Sequence, residues 1–125
     1  MLLETNPCEM CGREVRRGKL YGKTWFVADD LCEALDIQPP SNELPHKTAL
    51  SCLDVDEYAY FSIKTEDEMD EGFCISQSGA LKLLMRSNVA AGREFQNWLA
   101  IEVLPTLYRV GRYAPRKTIT FHSIL

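Results

Sequence analysis

Cys8 and Cys11, with two residues between them and Gly12 following, have the tight-turn spacing at which two thiolates can share one metal ion. A structural zinc site needs four ligands, and the chain has no second Cys-x-x-Cys. Cys52, Cys74, His46 or His122 would have to complete it, or Cys8 and Cys11 of a second copy. Zinc at Cys8 and Cys11 therefore stands beside two other readings, a redox pair and two ordinary thiols. Cys32, Cys52 and Cys74 are flanked by Leu, Ala, Ile or acids, surroundings that do not favour a reactive thiolate, and they read as small core hydrophobes. Five cysteines without an export signal argue against a disulfide framework. No Ser or Cys stands near His46 or His122 at a nucleophile-base spacing, and no glycine-rich phosphate loop is present, so no enzyme is expected.

Charge is the second source of chemistry. The net charge of −4 is segregated: residues 1–23 sum to +2, residues 24–75 to −11 and residues 76–125 to +5. A polyanion would be repelled by the middle and attracted to the C-terminal third. Lys82, Arg86, Arg93, Arg109, Arg112, Arg116 and Lys117 form the candidate nucleic-acid surface. Lys82 and Arg86 are four residues apart, so they share a helix face and could meet adjacent phosphates. The ordinary alternative is a solvated basic face on an acidic protein.

The elements that must position these groups fit one domain in a chain of 125 residues. A loose start and a tail are expected, with no membrane span, no signal peptide and therefore a cytoplasmic location. Val15 to Tyr21 reads as a hairpin arm leading into the strand Thr24-Trp25-Phe26-Val27. Asp29 and Asp30 suit the first turn of a helix with Ala28, Leu31, Ala34 and Leu35 on one face. Pro45 opens a second helix carrying Ala49, Leu50 and Leu53. Tyr58–Ile63 and Phe73–Ile75 read as strands joined by an acidic turn over residues 66–72. Ser76 caps a helix with Leu81, Leu84 and Met85, and Asn88 caps another with Phe95, Leu99 and Val103. Pro105 bends or restarts that helix, and Gly111 stops it. The mixed order, without βαβ alternation, gives an α+β fold with helices packed on a small antiparallel sheet. Trp25, Phe26, Phe61, Phe73, Leu84, Phe95 and Trp98 are its expected core.

Four ordered blocks carry a resemblance. They are Trp25 to Leu35, Ala49 to Glu57, Ile75 to Ser87, and Phe95-Gln96-Asn97-Trp98 through Glu102-Val103-Leu104-Pro105, ending near Gly111-Arg112-Tyr113. In order and spacing the chain resembles the Bro-N family of phage and viral antirepressors. The resemblance divides the chain into an N-terminal arm (1–14), a Bro-N-like domain (15–113) and a C-terminal tail (114–125). It implies a regulatory binding protein of phage or prophage type, associated with DNA binding or with relief of repression. Many relatives add a second domain; about a dozen residues follow the last block here.

The resemblance gives the acidic middle a use. Asp54, Asp56 and Glu57, with Glu66, Asp67, Glu68, Asp70 and Glu71, could dock on the basic surface of a DNA-binding repressor, complementary charge speeding the encounter. A solubilising loop is the plain alternative. A helix–turn–helix over the first two helices would offer Asn42, His46 and Lys47 to bases, but Asp29, Asp30, Glu33, Asp36 and Glu43 crowd it. A homodimer is expected, since regulatory modules are often two-fold. The partner is thus DNA or a DNA-binding repressor.

Overall fold

The computed structural model describes residues 1–37 and 44–112. Strands β1 (Leu2–Met10), β2 (Arg13–Leu20) and β3 (Lys23–Val27) are joined by the two-residue turns Cys11-Gly12 and Tyr21-Gly22. Both residues of each turn have positive φ, +52° and +79° in the first and +52° and +76° in the second. This is the type I′ geometry, whose twist matches that of a hairpin and which glycine adopts freely at the second position. Strands β4 (Tyr58–Thr65) and β5 (Glu68–Ser76) form a third hairpin, turning at Glu66-Asp67 alone. The expected acidic turn over residues 66–72 is therefore mostly strand, because Met69 and Gly72 pair with Lys64 and Phe61.

The strands close into a barrel in the order β1-β2-β3-β5-β4, rather than an open antiparallel sheet. Every neighbouring pair is antiparallel except β1 and β4, which run parallel with Leu2 opposite Ser62 and Thr5 opposite Thr65. The Thr5 hydroxyl donates to the Lys64 carbonyl (3.0 Å) and meets the Thr65 hydroxyl (2.7 Å) along this seam. Residues 2–10, expected as part of a loose start, are thus a barrel strand with Leu3, Thr5 and Met10 buried. Gly18 lets β2 approach it: a Cβ there would lie 2.2 Å from the Glu4 carbonyl oxygen. Leu3, Trp25, Val27, Phe61, Ile63 and Cys74 fill the interior, with Trp25 and Phe61 edge-to-face at 5.1 Å.

A second core lies under the helices, where Met10, Val15, Phe26 and Ile75 of the strands meet Leu31, Leu35, Ala49, Leu84 and Phe95. Helix α1 (Ala28–Ala34) has Asp29 and Asp30 in its first turn and buries Ala28, Leu31, Cys32 and Ala34. Helix α2 (Pro45–Leu50) begins on its proline. A 3₁₀ turn, Val55–Glu57, leads into β4. Helix α3 (Gln77–Met85) is capped by Ser76, whose hydroxyl accepts from the Gly79 amide at 3.2 Å. The N-cap position of helix α4 (Ala90–Trp98) is Val89, one residue after the expected Asn88, and no side chain caps the helix; the Ser87 hydroxyl instead accepts from the Val89 amide at 3.1 Å. A π turn, Leu99–Val103, carries α4 into α5 (Leu104–Val110), with Pro105 in its first turn. Gly111 ends it at φ +80°, donating to the Leu107 carbonyl at 2.8 Å. Cys52 is exposed, contrary to its core assignment, because α2 ends at Leu50 and Cys52 falls in the turn after it. Phe73 and Trp98 are only half-buried. No helix among the described residues is long and apolar enough to cross a membrane.

Candidate nucleic-acid interface

Lys82 leaves the outer face of α3 toward the acidic turn before β4. Its Nζ lies 2.6 Å from Glu57 Oε1 and 3.3 Å from Asp54 Oδ2. Asp54 and Glu57 form a capping box, the Glu57 carboxylate also accepting the Asp54 amide at 2.9 Å. Glu57 is 5% exposed. The Lys82 ammonium, followed by the Asp54 amide, holds its carboxyl below the usual carboxylate range, and Glu57 in turn raises the Lys82 ammonium. The two surfaces inferred from charge therefore touch, and at this point they neutralise each other. Spacing along one helix could not reveal this, because the acids arrive from a segment 25 residues earlier.

The remaining basic residues are laid out differently. Arg86 follows α3, Arg93 lies on α4, Arg109 on α5 and Arg112 after Gly111; all four are exposed. Among the described residues no carboxylate forms an ion pair with any of them. Arg116 and Lys117 lie outside the described residues, as do Asn42 and Glu43. Of the first helix pair's proposed base-contacting residues, only Lys47 has a described side chain, and it is exposed.

Arg86 opens the loop Arg86–Val89 between α3 and α4, and Arg93 reaches back to that loop from α4. The Arg93 Nη1 donates to the Asn88 carbonyl at 2.7 Å, and the Gln96 amide donates to the Met85 and Ser87 carbonyls. Gly92 is what lets α4 lie so close: a Cβ there would fall 2.8 Å from the Leu84 carbonyl and 3.2 Å from Ser87. Helix α4 starts with no side-chain cap and no acid in its first turn, so its positive dipole end is unopposed by carboxylate. Beside it lies a cleft of about 430 Å³ lined by Leu35, Ile37, Ala49, Leu83, Arg86 and Asn88, among others.

The acidic residues divide in the same way. Glu66, Asp67 and Glu68 sit exposed at the β4–β5 turn, with no lysine or arginine paired to them among the described residues. Glu71 is exposed beside Tyr60, whose phenol is raised by desolvation and then by the Glu71 charge, and Asp56 is exposed, its carbonyl taking Lys23 Nζ at 3.2 Å. Asp70 is bound by Arg16 at 3.3 Å. That arginine, overlooked in the sequence, also holds Asp30 through Nε (2.8 Å), Nη2 (3.2 Å) and its backbone amide (3.0 Å). It ties β2, α1 and β5 together. Only its place in an alternating strand hinted at a role, and alternation does not name a partner.

Cys8 lies on β1 and donates to the Val15 carbonyl at 3.2 Å, while Cys11 opens the hairpin turn. Burial raises both thiols above their ordinary range. No group of three or more metal-ligating side chains forms among the described residues.

No curated protein and no solved structure matches the chain. Residues 14–105 match the BRO family, N-terminal domain. The match spans β2 through the start of α5 and includes the α3–α4 unit that carries Arg86 and Arg93, and the chain belongs to this family of regulatory domains.

Proposed function

We propose that the protein is a phage-type transcriptional regulator that binds duplex DNA through the α3–α4 helix pair. The observation that carries this reading is the placing of Arg86 within, and Arg93 against, the tight loop before α4, both exposed and without a carboxylate ion pair among the described residues. Two helices joined by a four-residue turn, with cations beside the start of the second, suit phosphate contacts that seat a helix in a groove. Lys82 is assigned no phosphate contact, since Glu57 and Asp54 already take its charge. The regulator acts as a homodimer, by stoichiometric binding and without catalysis.

The other reading is capture of a repressor through acidic residues, with no contact to DNA. In that reading Glu57 and Asp54 would compete with their contact to Lys82, and Asp70 with its contact to Arg16, while Glu66, Asp67, Glu68, Glu71 and Asp56 carry no ion pair among the described residues. A mobility-shift titration on duplex DNA at low salt separates the two. Binding should weaken steeply with salt, and Arg86→Glu or Arg93→Glu should weaken it at least about tenfold. Absence of any shift at low salt, together with co-purification of a repressor, would replace the DNA reading with the second.

A further inference from the structure

Helix α5 has no buried residue. Ile101, Leu104 and Tyr108 are 75%, 52% and 94% exposed; Leu104 and Tyr108, four residues apart, share one face of α5, and Ile101 stands in the π turn just before it. Val103 and the half-buried Leu99, on the other side of the π turn, attach the segment to the domain. A row of large apolar side chains in water is the composition of a contact surface. Arg109 and Arg112 flank it.

The β4–β5 hairpin carries the reverse of this pattern. Met69 and Tyr60 are 63% and 55% exposed on one face of the hairpin, with Glu71 and Ser62 between them and Lys64 opposite Met69, while Glu66 and Asp67 form the tip and Glu68 follows it. Each copy of the chain thus presents exposed apolar side chains flanked by arginine on α5, and two exposed apolar side chains on a hairpin whose exposed acids Glu66, Asp67, Glu68 and Glu71 outnumber its one lysine, Lys64. Stacking α5 of one copy on α5 of another would bring four arginines together, and like charges across a contact are costly. Packing α5 on a hairpin pairs opposite charges, and a two-fold axis makes the contact twice.

We propose that α5 of one copy packs on the β4–β5 hairpin of a second copy, reciprocally, so that Ile101, Leu104 and Tyr108 cover Met69 and Tyr60 while Arg109 and Arg112 meet the hairpin acids. This rests on the dimeric part of the reading above and is independent of whether DNA is bound. It leaves Arg86 and Arg93 of both copies free for phosphate.

Sedimentation velocity of the full chain over a range of concentrations tests it. The wild type should dimerise, more weakly as salt rises. Arg109→Glu with Arg112→Glu, and separately Tyr108→Asp, should raise the dimer dissociation constant at least about tenfold with an unchanged circular dichroism spectrum. Adding Asp67→Lys and Glu68→Lys to the arginine reversals should restore the dimer. A wild type that stays monomeric throughout overturns both the dimer and this interface. A dimer indifferent to the arginine reversals, or not restored by the exchanged charges, overturns the interface alone. So do hairpin reversals that leave the dimer intact while abolishing capture of a repressor. Failure of the wild type to shift duplex DNA, with the dimer behaving as described, removes the DNA reading and leaves the interface standing.

Discussion

Lys82 Nζ sits 2.6 Å from Glu57 Oε1, joining a lysine expected at a nucleic-acid surface to a glutamate expected at a protein-binding one. The carboxylate is buried and takes a second bond from the Asp54 amide, so it serves the start of β4. Glu57→Ala should therefore destabilise the fold by about 2 kcal/mol, since it strands a backbone donor and a cation together. Lys82→Met should also lower the urea midpoint, yet change duplex affinity less than about twofold. A Lys82 variant that weakens DNA binding as strongly as Arg86→Glu would show that the ion pair opens on binding.

The same carboxylates set the acid response. Glu57 is held low by Lys82 and then by the Asp54 amide; Asp70 is held low by the Glu71 amide and then by Arg16. Both release protons more readily folded than unfolded, so at acid pH the unfolded chain binds the greater number. Their contribution is complete above the unfolded carboxylate range and is lost as pH falls through the lowered folded values. The urea midpoint should thus fall on acidification below about pH 4.5. Glu57→Gln should start less stable at neutral pH and lose less over the same interval; an equal loss in both proteins would contradict this.

Side-chain periodicity made most of the elements readable. Asp29 and Asp30 opened α1, Ser76 capped α3, and Gly111 closed α5, because each acts on its own neighbours in sequence. Barrel closure was not readable, since β1 meets β4 across some sixty residues and Asn6-Pro7 interrupts the pattern of β1. The site followed the same division. Arg86 and Arg93 are exposed, as their charge alone suggests, whereas the neutralisation of Lys82 and the role of Arg16 depend on segments brought together only by folding.

Gly18 reports on that closure directly. It is buried in β2, and a methyl group there would sit 2.2 Å from the Glu4 carbonyl oxygen and 3.1 Å from a Leu3 methyl. The obstacle is backbone in the strand that pairs with β4, so it cannot turn aside as a side-chain end would. Gly18→Ala should cost about 3 kcal/mol or more, at the upper end for overpacking. Thermal unfolding should show a large fall in Tm. A loss under about 1 kcal/mol would mean that the parallel seam does not hold β1 in place.

The Cys8-x-x-Cys11 spacing has a conformational explanation that a substitution can separate from a metal-binding one. Cys11 and Gly12 are the central residues of a type I′ turn, and Asn-Gly is the favoured pair there because asparagine tolerates positive φ. Cys8 donates to Val15 across the same hairpin, and burial keeps both thiols protonated to higher pH, which opposes the thiolate that zinc requires. Cys11→Asn should therefore raise stability by about 0.5 kcal/mol, the strain relieved at one left-handed position. Added zinc should leave the Tm of the wild type unchanged. If zinc instead raises the wild-type Tm and the Cys11→Asn variant neither gains stability nor responds to the metal, the turn is half of a shared metal site and the hairpin geometry is secondary to it.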